Sequence, residues 1–459
     1  MALFSVADMA HVVQGQLVGG EPEAPVRTVT HDSREVTPGA LFVAIRGQKS
    51  DGHSFVEKAL SRGAVAALVE EIPPGIGPER GALCLVDNTV TSLGLLGRHY
   101  RRRFTVQVWG ITGSLGKTTT KEMVASILGP RFRLLKSPGN LNTEVGLPLA
   151  LFGLTPEHQL AVLEMGARKP GDIEWLCYLA EPHGALITNV AESHVGVFGD
   201  VDRVARAKSE LVQAAQGPVC LNADDPRVRA MERLAAGRVI MYGSGSESEV
   251  TATDVRMDTF MRPTFTLRLA GEAASVSLPL HGVHQVMNAT AAASVAHALE
   301  MDVEDIVAGL ESVEPVSMRM AVHRTRDLMI LDDSYNASPT SAQAALDILK
   351  RLPADRRVAI LADMLELGDM GPEAHLKLGE SVAACGLSLL ITVGDMAGLI
   401  YQGALEAGFS SERALHYRTV EGLLKDLSAL IAPDSTVLVK GSRGMRMERI
   451  VEALKAEGG

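Results

Sequence analysis

One stretch constrains this chain more than any other: Gly110-Ile-Thr-Gly-Ser-Leu-Gly-Lys-Thr-Thr119. It follows an apolar, β-rich segment at 106–111 and opens a helix expected over 118–128. A glycine turn between a strand and a helix is the context in which such a motif cradles phosphate. The glycines let the backbone curl until successive N–H groups face one point, and the helix N-terminus adds a favourable dipole. Gly113, Ser114, Leu115, Gly116, Lys117, Thr118 and Thr119 are therefore the candidate ATP-binding residues. Lys117 can reach the β and γ oxygens, and Thr118 can place its hydroxyl on Mg2+. The spacing departs from the strict Walker pattern, which wants Gly at 111 where Ile111 stands. The competing reading is an ordinary tight turn, against which Gly-Lys-Thr-Thr in this context argues. Phosphate binding alone does not separate a kinase, a switch and a ligase.

The surrounding pattern sets the fold class. Apolar strands recur at 160–163, 185–187 and 218–221, with helical stretches between them. Strands alternating with helices imply a parallel sheet covered on both faces. From 250 to 280 the pattern alternates, as in Thr264-Phe-Thr-Leu-Arg-Leu269, which predicts antiparallel strands added to that sheet. From Pro315 onward, strands at 328–331, 358–361, 389–393 and 437–439 form a second, Rossmann-like α/β unit. Before Asp87 the chain mixes short strands, such as 40–45, with a helix at 55–62 and a Pro-Gly-rich loop at 72–78. The expectation is an α/β protein of three domains: a small mixed unit at 1–87, a central P-loop domain at 88–314 and a C-terminal domain at 315–459.

Bulk properties exclude several functions. The chain has 459 residues and a net charge of -11, which argues against a polyanion as main partner. Aromatic residues make up only 4%, too few for stacking platforms for single-stranded nucleic acid. A phosphorylated small molecule stays possible, because one basic pocket can bind it whatever the global charge. The four cysteines, Cys84, Cys177, Cys220 and Cys385, are scattered without a CxxC pair, so reduced and mostly buried thiols are expected. No apolar run reaches the ~20 residues of a membrane span, and no signal peptide is evident at the N-terminus. A cytoplasmic location is expected.

Amide formation from a carboxylate needs an activated acyl group, which ATP can supply by phosphorylation. Metal ions and cations must then hold two anions together. Such groups are sought near the strand ends around the P-loop, where open α/β sheets bind ligands. Glu164 ends the strand Ala161-Val-Leu-Glu-Met-Gly166 and could ligate Mg2+ or merely face solvent. His194 follows the strand ending Thr188-Asn-Val190 and could be a ligand or structural. Lys208, on a helix beginning near Val201, reads by itself as a solvated surface lysine. Asn288 opens an Ala-rich helix, where it could contact ATP, cap or pack, and Arg319 is similarly open. Asp332-Asp-Ser-Tyr-Asn-Ala-Ser-Pro339 puts two acids at a strand end before a polar turn; it could meet a nucleotide or simply cap a helix.

Taken as a set, these motifs resemble those of the Mur ligases. The glycine turn resembles theirs, shifted glycines included. So does the order that follows: Glu164 in Glu-Met-Gly-Ala, His194 in Asn-Val-Ala-Glu-Ser-His, Lys208 in Ala-Lys-Ser-Glu and Asn288 in His-Gln-Val-Met-Asn. Within the family the resemblance is to members that add D-alanyl-D-alanine to UDP-N-acetylmuramoyl-tripeptide. It is carried by Leu331-Asp-Asp-Ser-Tyr-Asn-Ala337, Leu361-Ala-Asp-Met-Leu-Glu-Leu-Gly368 and Val439-Lys-Gly-Ser-Arg-Gly-Met445. The Asp-Asn-Pro-Arg motif of the diaminopimelate-adding members is absent, and Ser338 stands where the subgroup usually carries Asn. The N-terminal region is similar to a UDP-binding domain through His31-Asp-Ser-Arg34, Pro38-Gly-Ala-Leu-Phe-Val-Ala44 and Asp51-Gly-His-Ser-Phe55.

The resemblance implies roles. ATP would be contacted by the P-loop, Asn288, Arg319, Asp333 and Asn336. Two Mg2+ ions would be served by Thr118 and Glu164 and by His194 and Lys208, the lysine carbamylated. Lys117, Lys208, His194 and Glu164 would form the catalytic set. Ser33 and Arg34 would hold the UDP end; Asn142, Thr143, Ser442 and Arg443 would face the substrates, UDP-N-acetylmuramoyl-tripeptide and D-alanyl-D-alanine. No nucleic acid, no membrane span and a monomeric chain are expected. Other readings are another Mur-type amino-acid ligase, a folylpolyglutamate synthetase, against which the UDP-type first region argues, and a non-enzymatic P-loop switch, for which no Asn-Lys-x-Asp guanine motif is present.

Overall fold

The structure is a computed structural model that describes residues 2–47, 50–77, 80–192 and 195–457. Three separate main sheets organise it. The first, of five strands, runs in the order Gln16–Val18, Ala82–Leu85, Ala64–Val69, Ala40–Val43 and Thr28–Thr30. Its strands are rich in Ala, Val and Leu on both faces, as a covered sheet requires.

The central sheet has nine strands. Its middle is parallel: Leu134–Lys136, Leu160–Glu164, Gln107–Thr112, Gly184–Ile187, Val219–Asn222 and Val239–Gly243 lie side by side in that order. Val250–Met257 adds in parallel, and Pro263–Leu269 and Glu272–Ser277 follow as antiparallel strands. From Gln107–Thr112 the chain first runs to one side of the sheet and then to the other. That reversal leaves a crevice beyond the strand's C-terminal end, at the glycine turn.

Side chains along Gln107–Thr112 alternate between two cores. Val108 joins a core shared with the N-terminal region, while Trp109 and Ile111 join the opposite one, with helices Lys117–Leu128, His284–Ala298 and Val303–Glu311. Trp109 is fully buried, and it fits because Gly184 sits on the neighbouring strand: a Cβ there would lie 2.6 Å from the indole. Losing a buried aromatic of this size costs about 3–5 kcal/mol. The helix His284–Ala298 is buried along most of its length, and its small side chains let it pack against Lys117–Leu128 and the sheet together.

The third sheet orders Ala321–Arg324, Leu328–Asp333, Ser435–Lys440, Arg356–Ala362, Leu389–Val393 and Ala414–Tyr417. All pairs are parallel except the first. Several boundaries differ from expectation, each for a local reason. Periodicity alone predicts a helix from about Thr91 to Arg103; it starts at Thr89, because Asn88 caps it by accepting from the Thr91 N–H at 2.8 Å. The helix expected over 55–62 divides into a 3-10 turn, Gly52–Phe55, capped by Asp51, and Val56–Ser61. The edge strands Leu134–Lys136, Ala321–Arg324 and Ala414–Tyr417 were not expected; at three or four residues each, they carry too little periodicity to read.

Candidate active site

The glycine turn is shaped by its neighbours. Gly113 has φ +152° and Gly116 φ +80°; a Cβ on Gly113 would stand 1.8 Å from Thr188 Oγ1. Gly116 caps the helix Lys117–Leu128 and brings no side chain to its first N–H groups, which stay available to an anion. Behind the turn, the residues after strand Gly184–Ile187 hold it in place. Asn189 accepts from the Leu115 N–H at 2.9 Å and donates to the Leu115 carbonyl at 3.1 Å; Thr188 Oγ1 donates to that carbonyl at 2.7 Å. Ser114 Oγ accepts from the Ala191 N–H at 2.9 Å.

Beyond the turn opens a cleft of about 510 Å³ between the central and C-terminal sheets. Lys117 curls over the turn, donating to the carbonyls of Gly113 at 2.8 Å and Ser114 at 3.2 Å. Enclosure lowers its pKa, opposed by Glu164 and aided by Arg319. Thr118 Oγ1 donates to Glu164 Oε2 at 2.8 Å, and Asn142 Nδ2 donates to Glu164 Oε1 at 2.7 Å. Glu164 is thus a buried carboxylate at 2% exposure rather than a solvent-facing one. Thr119 is also buried, and Thr143 lines the cleft beside Asn142. Asn288 is buried with its Nδ2 on Gln285 Oε1 at 2.9 Å, and its Oδ1 faces Gly116.

Lys208 corrects the reading of a solvated surface lysine. It is only 4% exposed and lines the cleft, because the helix Val201–Ala214 turns this position inward with Val204, Ala207 and Leu211. Among the described residues no hydrogen bond reaches its amine. Burial, and then the charge of Lys117, push its pKa well below the ordinary lysine value. His194 lies outside the described residues.

The C-terminal domain supplies the opposite wall. Asp333 pairs with Lys440, whose amine also donates to the Asn336 carbonyl at 3.0 Å. Arg319 lies 4.1 Å over the Tyr335 ring and Arg443 5.7 Å from it, so one ring aligns two cations. Ser442 is buried and committed locally: its Oγ accepts from the Leu365 N–H at 2.8 Å. Ser338 keeps a capping role in place of Asn, accepting from the Ser341 N–H. Ser33 and Arg34 do not line this cleft. They sit in the N-terminal region, where Arg34 is bound to Asp32 at 2.6 Å and holds its carboxyl at about 2.

Sequence reasoning missed Thr188, Asn189, Tyr335 and Lys440, which line the cleft. Thr188 and Asn189 stand at a strand end and could have been sought there; nothing local in the sequence marks Lys440 as buried. Chemically, the cleft offers a phosphate cradle, a carboxylate with a hydroxyl beside it, a buried amine and a cationic far wall.

Comparisons with known proteins span nearly the whole chain. Three family models match in order: "Mur ligase family, catalytic domain" at residues 25–96, "Mur ligase middle domain" at 111–296 and "Mur ligase, glutamate ligase domain" at 318–443. The UDP-N-acetylmuramoyl-tripeptide--D-alanyl-D-alanine ligase of Bacillus subtilis is 34% identical over 455 residues, 98% of either chain. The crystal structure of MurF from Acinetobacter baumannii superposes with a TM-score of 0.87 at 32% identity, covering 99% of both chains. MurF ligase from Thermotoga maritima, solved in complex with ADP, gives a TM-score of 0.80 at 30% identity over 94% of this chain and 98% of that one. With full-length relatives at this identity and all three models in register with its sheets, the chain belongs to the Mur ligase family.

Proposed function

We propose that this chain is an ATP-dependent, ADP-forming ligase that joins D-alanyl-D-alanine to UDP-N-acetylmuramoyl-tripeptide. The observation that carries the chemistry is the chain Thr118–Glu164–Asn142. It links the phosphate-binding turn to the loop carrying Asn142, which walls one side of the cleft. In the first step a carboxylate oxygen of the tripeptide attacks the γ-phosphorus, the bond to the β-phosphate oxygen breaks, and ADP leaves. The amine of D-alanyl-D-alanine then attacks the acyl carbon; phosphate departs and the amine releases a proton.

Lys117 and the N–H groups of 113–119 hold the phosphates, and the Arg319 and Arg443 cations face the transferring group. Asn288, Asp333 and Asn336 complete the nucleotide side; Asn142, Thr143, Ser442 and Arg443 face the substrates. Ser33 and Arg34 take the UDP end, with Arg offering a fork that matches phosphate oxygens. Residues 1–87, 88–314 and 315–459 act as the UDP-binding, ATP-binding and closing domains, and closure over the cleft keeps water from the acyl phosphate.

The donor set fits magnesium. The Thr118 hydroxyl and Glu164 carboxylate are hard oxygen ligands 2.8 Å apart. Magnesium held there would neutralise charge on the phosphates and the carboxylate. A lysine amine is no ligand for a second ion. A carbamate on Lys208 would be one, together with His194, and the lowered pKa favours the neutral amine, the form that attacks CO2. The free, buried cysteines suit a reducing compartment such as the cytoplasm.

The test is phosphate release from Mg·ATP with UDP-N-acetylmuramoyl-tripeptide, with and without D-alanyl-D-alanine. Release that needs both, with a UDP-linked pentapeptide product by mass, is expected. No release with any such pair would refute the assignment.

A further inference from the structure

The helix Lys117–Leu128 carries a second lysine that phosphate binding leaves unused. Lys121 lies one turn beyond Lys117 and is completely buried, at 0% exposure. Its Nζ donates to the carbonyl of Ser137 at 2.6 Å and to that of Gly139 at 3.2 Å, and stands 3.1 Å from Glu122 Oε1. A buried ammonium is costly unless its donors are used, and here each N–H has an oxygen.

Both carbonyls belong to one segment, 137–143, which supplies Asn140, Asn142 and Thr143 to the cleft. The segment is held along its length. The Ser137 N–H donates to the Val162 carbonyl at 3.0 Å, and Ser137 Oγ accepts from the Glu164 N–H at 3.0 Å. Asn142 reaches the Glu164 carboxylate, and its carbonyl accepts from the Gly166 N–H at 2.8 Å. Those contacts tie the segment to the strand Leu160–Glu164. Lys121 ties it directly to the helix that opens with Lys117 and Thr118.

We propose that Lys121 is a positioning residue: its ammonium fixes the 137–143 wall relative to the phosphate-binding turn, and so sets the distance between the tripeptide carboxylate and the nucleotide. The kinetic half of this inference rests on the ligase reading above; the structural half does not.

Lys121→Met keeps the apolar stem and removes every donor, while Lys121→Gln keeps one donor group. Hydrogen exchange of the wild type and both variants is compared at segments 137–143 and 113–119. In Lys121→Met, exchange at 137–143 is expected to quicken by about tenfold or more, with 113–119 within about twofold of wild type. Lys121→Gln falls between. In turnover assays KM for the UDP-linked tripeptide rises, or kcat falls, by about tenfold, while KM for ATP stays within about twofold. Unchanged exchange at 137–143, or an equal rise of both KM values, would overturn the proposal. Loss of the folded state in both variants would assign the ammonium to the fold and overturn it too. If the wild type turns over none of the substrates, the ligase reading fails, and exchange alone decides the role of Lys121.

Discussion

Replacing Lys208 by Met should make the protein more stable and inactive. Two effects set the stability change. The unbranched stem is kept, so packing changes by less than about 1.5 kcal/mol. The amine faces the cleft from a largely buried side chain, without a hydrogen-bond partner among the described residues, and removing such a group relieves at most about 1–3 kcal/mol. The balance is a gain of up to about 2 kcal/mol, and for a domain of this size that raises the melting temperature by up to roughly 8 °C. The sign with pH follows from linkage. A lysine whose pKa is lowered on folding binds fewer protons folded than unfolded. The wild type, in CO2-free buffer, therefore gains stability as pH rises from the lowered value toward the ordinary 10.5 and loses it as pH falls. The Met variant lacks that component. Activity should fall by about 100-fold or more, because the carbamate that would hold the second Mg2+ cannot form. Thermal melts across pH and ADP release under CO2 control measure both halves, and short carboxylates should partly restore turnover to Lys208→Ala. A Met variant that melts below wild type with the same pH dependence would refute the reasoning.

Other perturbations probe the rest of the site. Gly113→Ala forces a Cβ to 1.8 Å from Thr188 Oγ1, and nucleotide affinity by calorimetry should drop about 100-fold or more; wild-type affinity would show the turn is not the cradle. Glu164→Gln leaves one carbonyl oxygen for two donors, Thr118 and Asn142. ADP release should fall by about 10²–10³-fold and need more Mg2+, and an unchanged Mg2+ requirement would remove Glu164 from the metal site. Tyr242→Phe removes a buried hydroxyl that donates to the carbonyls of Ile187 at 2.7 Å and Thr188 at 3.2 Å. A loss of about 1–3 kcal/mol in urea unfolding is expected, and none would mean water replaces it. Arg34→Ala should return the Asp32 carboxyl from about 2 toward 3.8 in an NMR titration; no movement would deny the pairing.

By itself the sequence determined the glycine turn, the parallel character of the central sheet around it and the antiparallel strands that extend it. These features are local: they depend on periodicity, on glycine at positions of positive φ and on residues that cap helices. Glu164 and Asp333 were readable as candidates because strand ends and the turns after them face the crevice of an open α/β sheet, whereas Asn142 was implied by the family resemblance. Tertiary structure alone decided which of them meet. Asp333 and Lys440 are paired although 107 positions apart, and no local pattern marks Lys440 as buried rather than solvated. The same holds for Lys208 and Lys121, whose side chains turn inward because helices pack around them, with backbone carbonyls receiving the Lys121 ammonium. A side chain's type states what it can do. Its burial and its partners come from contacts between distant segments, and those set the protonation state and the geometry on which the chemistry depends.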